Sequence, residues 1–229
     1  MWLGVSDIKR QIKRDLTPFF KKEGYYYRTK IQGGSIGFVE REKEDYYFIF
    51  FNVFTSGKVW VSPICGYIDQ IEKILFQIKL PDKSVPHYYD KIFDPLGHIT
   101  IVSNNDPSKE IKSDQLSSEE DVSKLCAQII ESFEKDGKPF IERTNSKEKV
   151  YKELVKTYEE KDLKPLLSNT SKFFKATIVF SLFESNWKEQ RVPFFKNEIL
   201  SNYKNPEKWL KAYDELCMHL SNLTQHKPV

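Results

Sequence analysis

The chain is poor in the residues that announce chemistry. It holds only 3 cysteines, Cys65, Cys126 and Cys217, far apart and each within an apolar pattern, the setting of buried free thiols and not of a disulfide framework. The 4 histidines, His87, His98, His219 and His226, are scattered, so no cluster has metal-ligand spacing. Asp90, Asp94 and His98 share a four-residue spacing, but Pro95 and Gly97 break the helix that would align them. Neither a Gly-x-Ser-x-Gly elbow nor a glycine-rich loop opening a helix occurs; Gly33, Gly34 and Gly37 belong to a hairpin and its second strand. The Glu-x-Lys triplets at Glu110/Lys112 and Glu159/Lys161 fall on no convincing strand. No cofactor or metal is expected, and the reading leans away from an enzyme, although a triad assembled in space leaves no mark in sequence order.

An excess of one charge is lacking too. Lys plus Arg number 36 against 33 Asp plus Glu, a net charge of +3, too small for a protein that tracks phosphates, so nucleic acid is disfavoured except through a local patch. No run approaches the roughly 18 apolar residues of a spanning helix, and the five apolar or small residues between Met1 and Asp7 give no reason to expect an export leader. A cytoplasmic protein without membrane association is the expectation.

What is abundant is aromatic: 17 Phe and 12 Tyr, enough ring surface to build a core. Ile8, Ile12, Leu16, Phe19 and Phe20 recur at helical spacing, after Ser6 or Asp7 as cap and before Gly24 as stop, with a kink or early end expected near Thr17 because of Pro18. Tyr25 to Ile31 and Ile36 to Arg41 flank Gly33-Gly34 as a hairpin. Tyr46 to Thr55 reads as a strand apolar on both faces, with Phe48, Phe50 and Phe54 on one and Ile49, Phe51 and Val53 on the other. Such a strand needs cover on each side, one layer from the first helix and the other from C-terminal helices or a second chain. Ser56-Gly57-Lys58 turns it into Val59 to Ile64, which Pro63 ends or confines to an edge.

A helix over 68–78, an aromatic loop over 81–95, a short strand over 99–103 and a polar loop over 104–117 follow. Ser118 with Asp121 reads as a capping box whose helix runs to Gly137. Asn145 opens another helix, and helices over 173–187, about 193–203 and 206–223 complete the chain. The expected class is α+β: an antiparallel meander of four to five strands covered by helices, with an all-helical C-terminal half. The boundary is placed between 1–142 and 143–229, or the two form one continuous domain.

Neighbouring tyrosines on a strand face opposite sides, so one ring of each pair in Tyr25-Tyr26-Tyr27 and Tyr46-Tyr47 is core and the other is free to meet a partner or a cross-strand ring. Lys9-Arg10, Lys13-Arg14 and Lys21-Lys22 give the first helix a solvated basic face; joined with Arg28 and Lys30 into one stripe, they would suit nucleic acid or an acidic protein partner. The order of helix, Gly24-Tyr25, Gly33-Gly34 hairpin, Phe38-x-x-Arg41, aromatic strand, Ser56-Gly57-Lys58 turn and Gly66-Tyr67 resembles an uncharacterised bacterial domain family, over residues 5–142, of the kind found near toxin and immunity genes. The resemblance carries no catalytic set.

Two functions remain open at this level. One is a non-enzymatic module, immunity-like in setting, that binds another protein through the sheet face or edge around Tyr26, Arg28, Phe38 and Arg41, as a monomer or homodimer. The other is an enzyme or small-ligand binder with a pocket between sheet and C-terminal helices lined by Tyr67, His87, Tyr88, Asp90 and His98.

Overall fold

The computed structural model describes residues 3–31, 34–40, 44–81, 99–103, 111–160, 166–167 and 171–225. The fold is α+β, with an antiparallel sheet and helices concentrated towards the C-terminus. The contacts group the chain into two units, residues 1–67 with 101–143 and residues 68–100 with 144–229.

In the sheet unit, α1 (Val5–Lys22) starts from Gly4 as its N-cap and runs through Pro18 without ending at Thr17. The lost hydrogen bond is outweighed because the last turn delivers Phe20, fully buried, into a stack on Phe38 with centroids 4.5 Å apart. Strands β1 (Tyr25–Thr29), β2 (Ile36–Glu40) and β3 (Tyr46–Val53) form the expected antiparallel meander. Phe54 lies beyond β3 and is half exposed, its N–H donating to the Lys58 carbonyl in the turn, so it does not continue the Phe48/Phe50 face.

The expected fourth strand is split at Pro63 into β4 (Val59–Val61) and β5 (Cys65–Tyr67), both paired to β3. Phe51 faces Val61 but Phe48 faces Cys65, so the register slips by one residue across the proline. This is a β-bulge, which absorbs the missing donor of Pro63 in one unpaired step. β6 (Ile101–Val102) closes the far side, giving the order β1-β2-β3-β5-β6 with β4 beside β3.

One face of β3 packs towards the helices: Phe51 lies edge-on to Phe38 and Tyr47 edge-on to Phe140. The opposite face carries Phe48 stacked with Phe50 and Tyr46 stacked on Tyr67, and these side chains too are buried in the single chain. Each buried Phe contributes roughly 1.5–3 kcal/mol relative to exposure. At Gly37 a Cβ would stand 2.1 Å from the Ile49 carbonyl oxygen, so the close approach of β2 to β3 excludes any side chain there.

Ser118 and Asp121 form the capping box of α3 (Glu119–Ser132), as the sequence implies. The helix does not stop at Gly137. It widens into a π-helical turn, Phe133–Gly137, and resumes as α4 (Lys138–Thr144), because Phe133 sits in the aromatic cluster of Phe19, Phe20 and Tyr25 and the Gly137 position abuts Ile64.

The helical unit contains α2 (Asp69–Phe76), α5 (Lys147–Glu159), α6 (Lys172–Phe183), α7 (Trp187–Asn202) and α8 (Pro206–Gln225). α6 is buried on every side from Phe173 to Ser181, the mark of a central helix, and α2, α5, α7 and α8 pack around it. The expected helices over 173–187 and about 193–203 are two separate helices here as well, but their bounds shift: α6 ends at Phe183, and α7 starts at Trp187 with Pro193 accommodated inside it.

Candidate binding surface at the sheet edge

β1 is the first strand of the sheet, and among the described residues it pairs only with β2. Lys30 donates its N–H to the Ser35 carbonyl at 2.8 Å in the same register. By the alternation of an antiparallel ladder, Arg28 and Tyr26 then bond to β2, while Tyr27 and Thr29 aim their N–H and C=O groups towards solvent; Tyr25, the next position in the same phase, is buried.

The side chains of this edge carry a repeated motif, a cation seated on a ring. On the face away from α1, the Arg28 guanidinium stands 4.9 Å from the Tyr26 centroid and donates to its hydroxyl at 3.4 Å. On the α1 face, the Lys13 ammonium stands 4.9 Å from the Tyr27 centroid. Partial burial pushes the Tyr27 hydroxyl above its ordinary pKa, keeping it a neutral donor. One helical turn earlier, Lys9 donates to the Gly34 carbonyl at 3.2 Å, and Lys30 follows β1 with a left-handed φ of 61°. The stripe that the sequence offered as a condition, basic α1 residues running on into Arg28 and Lys30, is thus assembled around the hairpin.

The remaining arginines of α1 are neutralised. Arg10 is paired with Asp7, and Arg14 with Asp15 at 2.8 Å and Glu119 at 3.5 Å. Burial raises the pKa of Asp15, but donation from Arg14, Ser123 and Gln11 outweighs it and holds the carboxylate below its usual range. No carboxylate pairs with Lys9, Lys13, Arg28 or Lys30 among the described residues.

Of the residues singled out in the sequence, Tyr26 and Arg28 are at this edge. Phe38 is buried between Phe20, Tyr27 and Phe51, and Tyr67 is buried against Tyr46 with centroids 4.8 Å apart. Arg41, His87, Tyr88, Asp90 and His98 lie outside the described residues. Lys9 and Lys13 complete the surface; their i, i+4 spacing was the available signal, but which strand that helix face would meet is set by packing.

Several other polar groups among the described residues are committed to one another. In the helical unit Lys175, fully buried, lies 3.1 Å from Glu72 and also donates to the Ile99 carbonyl. Thr100 donates to Glu72 at 2.7 Å and accepts from the Ile68 N–H at 2.9 Å. Arg191 grips Glu184 with bonds of 2.8 and 2.6 Å while its guanidinium lies over the Tyr158 and Phe180 rings.

Burial pushes the thiols of Cys65 and Cys126 up to about 12 and that of Cys217 up to about 11, far from the thiolate a nucleophile requires. A hollow of about 380 Å³ beside the π-helical turn is walled mostly by Lys112, Gln128, Glu131, Lys135 and Asp136. The hollow lies open to solvent between charged side chains, unlike the enclosed, mainly apolar ligand sites of most proteins. Among the described residues no three of His, Cys, Asp and Glu are grouped to hold a metal, and no helix is long and apolar enough to cross a membrane.

The arrangement defines an α+β protein whose antiparallel sheet ends in an aromatic, basic strand. No family model, curated protein or solved structure matches the chain.

Proposed function

We propose that the chain is a non-enzymatic protein-binding module that takes an extended segment of another protein onto the outer edge of β1. The observation that carries this reading is the edge strand itself. Tyr27 and Thr29 present main-chain donors and acceptors outward, flanked on both faces by Tyr26 and Tyr27 under cations. An added strand gains affinity from the main chain and specificity from side-chain sites on alternate faces, and Tyr and Arg are the side chains most often energetic at interfaces. The resemblance to domains found near toxin and immunity genes fits this use, with a toxin as the partner class.

Selection from a displayed library of extended peptides tests it. Thr29→Pro removes an outward N–H while leaving the β1–β2 bonds intact, which an edge strand tolerates. Selected peptides should bind the unaltered protein and lose binding to Thr29→Pro, whose circular dichroism stays native. Peptides that bind both forms equally would remove β1 as the site.

A further inference from the structure

Resting on that reading of β1, we infer that its partner segment is acidic, with carboxylates at consecutive positions beside the hairpin end of the strand. The argument is the uneven disposition of charge along β1. At the hairpin end stand Arg28 and Lys30, with Lys9 and Lys13 reaching over from α1, and none of them pairs with a carboxylate among the described residues. At the other end stand Glu40, opposite Tyr25, and Glu23, which holds Lys138 at 3.0 Å. A docked strand therefore meets cations seated on its rings at the hairpin end, and at the other end carboxylates that already have partners.

Alternation sets the pattern further. Successive side chains of a strand point to opposite faces, so one carboxylate reaches Arg28 on the face away from α1 and its neighbour reaches Lys13 on the α1 face. Cations already resting on rings are held in place, which lowers the ordering cost of an ion pair. Nucleic acid is the weaker fit: its phosphates would use the cations, but nothing in it would use the strand-edge donors of Tyr27 and Thr29.

The test uses the full chain and fluorescent eight-residue peptides read by anisotropy. One alternates valine and threonine and ends in four glutamates; its control carries glutamine in their place; oligo(dT) is the third probe. In 50 mM salt the glutamate peptide should bind roughly tenfold more tightly than the glutamine control, as several rim ion pairs would give. The advantage should close in 500 mM salt through screening. Lys13→Gln with Arg28→Gln should reduce the glutamate peptide to the level of the control, and Thr29→Pro should abolish binding of both.

Equal binding of the two peptides, with loss in Thr29→Pro, would overturn the acidic preference and leave edge docking intact. Binding of neither peptide would overturn both readings. Oligo(dT) binding as tightly as the glutamate peptide would overturn the acidic-protein assignment in favour of phosphate recognition.

Discussion

In the helical unit Lys175 and Arg191 turn inward onto Glu72 and Glu184, whereas in the sheet unit Lys9, Lys13, Arg28 and Lys30 gather around an outer strand with no carboxylate beside them among the described residues. Inside α6 an ammonium in an apolar setting is tolerable only because Glu72 and the Ile99 carbonyl complete its bonds. At β1 water solvates the cations, so nothing in the fold requires them to be paired. Charge in the first setting serves the architecture; in the second it is available to another molecule.

Substitutions sharpen this contrast. The largest effect should come from Lys175→Met, which takes the ammonium away from the buried Glu72 carboxylate and should cost roughly 3–5 kcal/mol in urea unfolding. Adding Glu72→Leu should recover most of that loss; if it does not, the pair is more than a matched burial. Arg191→Lys keeps the charge but loses the bidentate grip on Glu184 and the stacking on Tyr158 and Phe180. A cost of about 1.5–3 kcal/mol is expected from the same measurement.

Ser118→Ala should cost about 1 kcal/mol through the lost α3 cap. The Ser117 and Ser118 donors hold the Asp121 carboxylate down to about 2. Its contribution is therefore present above the ordinary carboxylate pKa and fades as pH falls from about 4 to about 2. Asp121→Asn should flatten the unfolding midpoint against pH across that interval. Smallest of all, Lys13→Gln and Arg28→Gln should each change stability by no more than about 0.5 kcal/mol. A large loss at either would break the comparison, because it would make the edge cations structural.

Much of the sheet unit was legible because its signals are local. The alternation and aromatic density of residues 46–53, the Gly24 stop, and the Ser118/Asp121 spacing each act within a few residues and appear as expected. The break at Pro63 was legible, but not the return of Cys65–Tyr67 to the same neighbour, since a bulge depends on what β3 offers across the gap. Pro18 and Pro193 misled in the opposite sense. Both reside within helices whose tertiary packing overrides the local penalty, at Phe20 in one case and Phe195 in the other.

The candidate surface was half legible. Tyr26 and Arg28 could be chosen from strand alternation, whereas Lys9 and Lys13 required knowing which face of α1 meets the hairpin. The buried Lys175 had no local mark at all, sitting in a run of apolar residues as a lone basic interruption whose partner is about a hundred positions away.

The chain leaves the sheet unit after Tyr67, comes back at Ile101 and departs again after Arg143. A fragment ending at residue 143 would carry α2 without α6, exposing Ile71, Ile74 and Leu75 to water. Its complement, starting at residue 144, would strand the Lys175 ammonium among phenylalanines with no Glu72 to receive it. A single cut at residue 143 therefore parts the helical unit from its own second helix, and each fragment loses partners that the intact chain supplies.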